Sequence, residues 1–226
     1  QKEYRPKLFK RLRTFTWISP IHETIRLNPV VFDSDIEILH MPENIHNKRD
    51  FTTFINAVNR GEVLADYVII MLCKELFISG EDTDFLPFKD IFNNMLNNET
   101  HSDECRENIS CALARIYRIE NDYNNFFKIC LKNVAVTPCS EICMELGLYF
   151  KNLEDYEEAI LWFINASSET TAIIDTRANG DKPLFEIAEC YRLASKKVKL
   201  ANDTYLSDIY MSNSLEYEQQ TMPEEL

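Results

Sequence analysis

Glycine occurs only four times in 226 residues, at 61, 80, 147 and 180. A chain so poor in the residue that makes tight reversals is not a turn-rich β-sandwich or barrel, and it reads as helical. No apolar run approaches the ~20 residues a helix needs to cross a bilayer, and no secretory signal is expected. The seven cysteines, at 73, 105, 111, 130, 139, 143 and 190, contain no CxxC pair, so their spacing offers no zinc site. Most fall on apolar helical positions, where a free thiol acts as a small hydrophobe, which fits a reducing, cytoplasmic compartment. HExxH is missing because position 26 is arginine, and no glycine-rich phosphate loop occurs. Basic residues are also scarce, 24 against 37 acidic ones, for a net charge of −13. Such a surface repels phosphate backbones, so no nucleic-acid partner is expected.

What is present is core-forming material. Apolar residues make up 45% of the chain and aromatic ones 12%, enough for a substantial interior. The first thirteen residues stand apart from the acidic remainder. They carry Lys2, Arg5, Lys7, Lys10, Arg11 and Arg13 against Glu3 alone. The chain starts at Gln1 within a strand-like pattern and reads as a piece of a longer protein.

Residues 4–50 mix short β-like runs with turns. Leu8 to Ile18 alternates apolar and polar residues, Pro20 breaks the run, Ile21 to Leu27 alternates again, and Asp35 to Met41 is a third strand candidate. Three short strands bury little apolar surface by themselves. From Asp50 the period becomes helical. Helices are expected from Phe51 to Gly61, Leu64 to Ser79, and Phe85 to Asn97 with Pro87 in the first turn. Asp103 is expected to cap a helix to Arg118. Further helices follow over Asp122–Val134, Ser140–Asn152, Glu154–Ser167, Pro183–Lys196 and Ala201–Ser214, before a fraying acidic tail over 216–226.

A 33-residue repeat organises this helical part. Ser110, Leu113, Ala114, Tyr117, Phe126 and Cys130 return as Cys143, Leu146, Gly147, Phe150, Ala159 and Phe163, with Pro138 and Ala166 closing the two units. Small residues sit where two helices would cross closely, and bulky ones a turn away. The pattern resembles tetratricopeptide repeats, well over 110–166, moderately over 183–210 and weakly over 64–98. The family's usual tryptophan is absent from every first helix. The resemblance implies a mainly α fold, an α-solenoid of antiparallel helix pairs. Glu141, Glu145, Glu186 and Glu189 would then line a groove suited to a basic or polar peptide. The stretch Glu169 to Lys182 interrupts the period and reads as a loop on the concave face or a simple insertion.

Three of the four histidines, His22, His40 and His46, lie in the first 46 residues. Imidazole is a common ligand for divalent metals, though scattered histidines are more often structural. Their context is Lys7-Leu8-Phe9-Lys10, then Trp17, Ile21-His22-Glu23, then Ile38-Leu39-His40. This order resembles the closing part of the catalytic domain in bacterial family 2 glycosyltransferases, several of which continue into a tetratricopeptide array. The resemblance implies a GT-A domain using a nucleotide-diphosphate sugar and Mn²⁺ or Mg²⁺. His22 is then the first candidate metal ligand and His40 the second. Glu23 is the candidate catalytic group, and Lys7, Lys10 and Arg11 are candidates for the diphosphate. No Asp-x-Asp follows a nucleotide-binding βαβ unit. Asp33-Ser34-Asp35 falls after the His-Glu motif and Asp82-Thr83-Asp84 between helices. The expectation is therefore a C-terminal part of a transferase: residues 1–50 from the sugar-transfer domain, 51–215 a repeat domain and 216–226 a tail. Such a piece is inactive alone and holds no metal of its own. Its repeats would bind a polypeptide acceptor or partner protein, or pair two copies in a homodimer. The alternatives are a non-catalytic tetratricopeptide scaffold and a peptide-sensing regulator.

Overall fold

The computed structural model describes residues 17–18, 24–25, 47–97 and 100–221. Two short strands, β1 (Trp17–Ile18) and β2 (Thr24–Ile25), pair antiparallel with Trp17 opposite Ile25. They fall inside two of the expected strand runs, and the rest of those runs lies outside the described residues, as does the whole of the third. All other regular structure among the described residues is helical. The helices are α1 (Asn47–Asn59), α2 (Asp66–Ser79), α3 (Asp82–Phe85), α4 (Lys89–Leu96), α5 (Asp103–Ile119) and α6 (Tyr123–Val136). They continue with α7 (Ser140–Asn152), α8 (Tyr156–Ile164), α9 (Asp181–Leu200) and α10 (Thr204–Thr221).

One turn design joins these helices. Asn121, Glu154 and Asn202 all adopt a left-handed conformation, with φ near +60°, immediately after α5, α7 and α9. The next residue is aspartate each time. Its amide reaches back across the turn, Asp122 to the Tyr117 carbonyl at 2.9 Å, Asp155 to Phe150 at 3.0 Å and Asp203 to Val198 at 3.1 Å. This closes the finished helix with a Schellman motif. The same aspartate then caps the new helix, its carboxylate accepting from the amides of Asn125, Glu158 and Leu206 respectively. One residue therefore ends one helix and starts the next, which makes the hairpin as short as it is. Gly61, at φ +77°, closes α1 with the same backbone pattern.

Some boundaries differ from the sequence reading. Pro87 lies inside a 3₁₀ turn, Leu86–Phe88, that separates α3 from α4, so the single helix expected over 85–97 is broken. Proline lacks the amide an α-helical bond requires there. Ser102, not Asp103, caps α5, its hydroxyl accepting from the Cys105 amide. The last turn of α8 widens into a π-helical turn over Asn165–Glu169. The hydroxyls of Ser167 and Ser168 both turn back to the Ile164 carbonyl there. The final helix continues to Thr221, beyond the expected start of the tail.

The interior has two parts that meet at α7. The first holds Phe51, Phe54, Phe85, Phe88 and Phe92 with the inward residues of α2, α5 and α6. The second holds Ala159, Phe163, Ile187 and Cys190. Residues 140–147 of α7 are all buried, because neighbours cover this helix on every side. Each repeat position is filled by complementary volumes. Phe126 and Cys130 in one unit become Ala159 and Phe163 in the next, all fully buried. Phe163 needs Gly147 beneath it, since a Cβ at 147 would lie 2.4 Å from its ring. Ala114, 33 residues earlier, and Cys130, the counterpart of Phe163, are both buried in the first core. Serines draw α9 and α10 together: the Ser195 hydroxyl bonds the Ser207 carbonyl at 2.9 Å, and that of Ser214 bonds the Ala188 carbonyl at 2.8 Å.

Gly147→Ala is expected to cost about 1–3 kcal/mol by overpacking, and adding Phe163→Leu to recover most of it, measured by denaturant unfolding. Glu154→Gly should instead stabilise by about 1 kcal/mol, because glycine adopts the left-handed turn without steric cost. A thermal melt of that variant checks whether the turn is strained.

Candidate functional site

Chemistry-bearing groups gather where α5, α7 and α9 face one another. Arg118, in the last turn of α5, meets Glu145 of α7 at 2.5 Å, with both side chains nearly buried. Lys151 occupies the equivalent place 33 residues later and meets Glu186 of α9 at 2.6 Å. A cation ending one helix thus reaches a glutamate on the first helix of the next pair, twice in succession. Burial opposes the charge on Arg118, but Glu145 outweighs it and raises its affinity for its proton. Arg115, one turn earlier, pairs with Asp82 at 2.7 Å and lies over the Phe85 ring at 4.5 Å. Asp84 accepts from the Glu81 amide, so Asp82-Thr83-Asp84 works as the first turn of α3.

A strap crosses the face of α5 and α7. After the π turn, residues 170–178 run in extended form and then a 3₁₀ turn, Thr176–Ala178. Thr171 makes a parallel bridge with Cys139, and its carbonyl accepts from the Ser140 amide at 3.1 Å. The Glu141 carboxylate, 1% exposed, then takes three successive strap amides. Those of Ile173, Ile174 and Asp175 reach its Oε1 at 3.1, 2.7 and 3.0 Å. A buried carboxylate is tolerated because its oxygens find this row of donors. Ile174 packs into the first core and Ala178 into the second. Arg177 reaches the Ile78 carbonyl at the end of α2, at 3.1 Å. Asp175 is buried beneath Arg177 and Lys182, the latter at 2.6 Å. Burial pushes its carboxyl up, but the two cations win and hold it below the usual aspartate range.

These contacts correct the expectation of an open acidic groove. Glu141 is taken by the strap, Glu145 by Arg118, Glu186 by Lys151 and Glu189 by Arg192 of its own helix. The segment read as a loop or insertion is a structural tie. Its signal was absent from local sequence, because the donors are backbone amides that any residues supply.

All seven cysteines are buried and free. Cys111 and Cys139 approach to 3.5 Å beneath the strap, near Glu141. A second group, unnoticed in the sequence, joins the start of α2 to the start of α5. Asp66 accepts from the Ser102 amide at 2.8 Å, meets His101 Nδ1 at 2.7 Å, and lies close to Cys105. His22, Glu23, His40, Lys7, Lys10 and Arg11 lie outside the described residues. No protein-family model, curated protein or solved structure matches the chain.

Removing one partner of the Arg118–Glu145 pair strands a buried charge, so Arg118→Ala is expected to cost about 3–5 kcal/mol. Replacing both, Arg118→Met with Glu145→Leu, should come within about 1 kcal/mol of the parent by denaturant unfolding. Glu141→Ala should free the strap, so trypsin cuts after Arg177 before the chain unfolds globally; an unchanged digest would mean other contacts hold it. Acid should act similarly. The lowered Asp175 contributes stability above the ordinary aspartate range, near pH ~4, and that contribution is lost as pH falls through its depressed value. Protection of the Ile173, Ile174 and Asp175 amides against hydrogen exchange, corrected for the intrinsic rate, should therefore fall on acidification below that point.

Proposed function

We propose that residues 51–215 form a tetratricopeptide-like helical-repeat arm of a nucleotide-sugar-dependent glycosyltransferase, and that the arm presents a polypeptide acceptor to the sugar-transfer domain. The observation that carries the repeat reading is the hairpin turn used three times, at Asn121, Glu154 and Asn202, with the same left-handed residue and the same doubly employed aspartate. Two equivalent ion pairs between successive first helices support it further. The transferase half of the proposal rests on the motif order in the first 40 residues, with His22 and His40 as metal ligands, Glu23 as the catalytic group, and Lys7, Lys10 and Arg11 beside the diphosphate.

The partner's contact is apolar more than acidic. The glutamates of α7 and α9 are engaged within the chain, whereas Phe185 on α9 is 60% exposed. Exposed aromatic side chains of this kind are what a bound polypeptide covers. A non-catalytic scaffold is the second reading, favoured by how many polar groups of the described residues serve to tie helices together.

Two experiments on the intact enzyme test this. Phe185→Glu should lower kcat/KM for the acceptor at least tenfold and leave hydrolysis of the nucleotide sugar unchanged. Equal loss of both, or of neither, would remove the repeats from acceptor binding. His22→Ala should abolish metal-dependent transfer with the helical signal retained, and transfer unaffected by it would favour the scaffold.

A further inference from the structure

We propose that Asp66, His101 and Cys105 form a zinc-binding clip between α2 and α5. One donor atom from each lies within 4.8 Å of the others. They come from three places: the first residue of α2, the segment before α5, and the first turn of α5 itself. Asp66 Oδ1 and His101 Nδ1 already face each other at 2.7 Å, and Asp66 Oδ2 is steadied by the Ser102 amide at 2.8 Å. The Ser102 hydroxyl accepts from the Cys105 amide, which fixes the turn that carries the thiol. Three donors of different chemistry are thus held on a shared framework.

The donor set selects the ion. A carboxylate, an imidazole and a thiolate suit a borderline metal such as Zn²⁺, and a hard Mg²⁺ or Ca²⁺ would not choose sulfur. Charge balances as well. Carboxylate and thiolate together carry two negative charges against the two positive charges of the ion. On binding, the Cys105 thiol gives its proton to solvent, and the imidazole proton resides on Nε2 so that Nδ1 is free to ligate. Tetrahedral coordination at about 2.0–2.3 Å requires Asp66 Oδ1 and His101 Nδ1 to part by only about half an ångström.

Access separates this cluster from the other one. Asp66 is one third exposed and His101 one tenth, with Cys105 buried beneath them, so an ion enters from the Asp66 side and a water can complete the fourth position there. Cys111, Cys139 and Glu141 are all buried, and that carboxylate is committed to the strap amides. The sequence hid the site because its ligands are 35 and 4 positions apart, with no paired-cysteine signature.

The test uses the full chain, stripped by chelator and titrated with Co²⁺ and then Zn²⁺. One equivalent of Co²⁺ should give a thiolate-to-cobalt charge-transfer band in the near ultraviolet, which Zn²⁺ then removes. Cys105→Ser should abolish the band, and His101→Gln should weaken Zn²⁺ binding at least tenfold by calorimetry. Cys111→Ser should keep both. Zn²⁺ should raise the melting temperature of the parent and not of His101→Gln. Absence of the band in folded parent protein overturns the proposal, as does a band that survives Cys105→Ser or is lost in Cys111→Ser. If Cys105→Ser loses its helical signal, His101→Gln decides alone: Zn²⁺ affinity equal to the parent's overturns the site.

Discussion

Reversing a chain between two helices leaves carbonyls at one end and amides at the other without helical partners, and this molecule solves both with one residue. An aspartate following a left-handed residue donates its own amide backward and accepts the next helix's amide on its side chain. The hairpin is short because the closing and opening functions overlap. Short hairpins force consecutive helices to lie side by side, and that in turn demands small residues where they cross. Gly147 under Phe163 and the serines between α9 and α10 meet this demand by different chemistry.

Packing alone would leave the pairs free to shift along one another, since apolar contact is weakly directional. The polar groups between first helices remove that freedom. Arg118 and Lys151 each reach a glutamate on the following pair, and Glu141 holds the strap against α7 through backbone amides. Such buried pairs add little net stability over apolar replacements, but breaking one is expensive, so they penalise the wrong register. The acidic composition therefore has a use beyond solubility, with several of its carboxylates committed to internal order.

Much of the helical layout was legible. Most positions of the 33-residue spacing face inward: Leu113, Ala114, Phe126, Cys130, Leu146, Gly147, Ala159 and Phe163 are buried, while Ser110 and Phe150 are half-buried and Pro138 is exposed. Period and small-residue placement are local properties, so they survive in one dimension. The turn design was not read from the sequence: Asp122 was taken as the first residue of a helix, and Glu154 and Asp155 were placed inside one, because glutamate is an unusual occupant of the left-handed conformation. The π turn after Ile164 was missed, as was the break at Leu86–Phe88, although Pro87, which causes it, stands in the sequence.

The candidate site divides differently. The repeat reading set Glu141, Glu145, Glu186 and Glu189 along an open groove, whereas each meets a partner within the chain. Hydrophobic period, a property of neighbours along the chain, settled that α5 through α10 form, but not the buried face of α10, which turns Ser207 and Ser214 inward and leaves Tyr205 exposed. Only the folded structure decided the partners of the polar groups: Arg118 with Glu145, Asp66 with His101 and Ser102, and Glu141 with a strap 32 to 34 residues away. The physical reason is that a charge or an amide is satisfied by whatever lies within three ångströms. That neighbour is set by how the helices pack and not by the letters beside it.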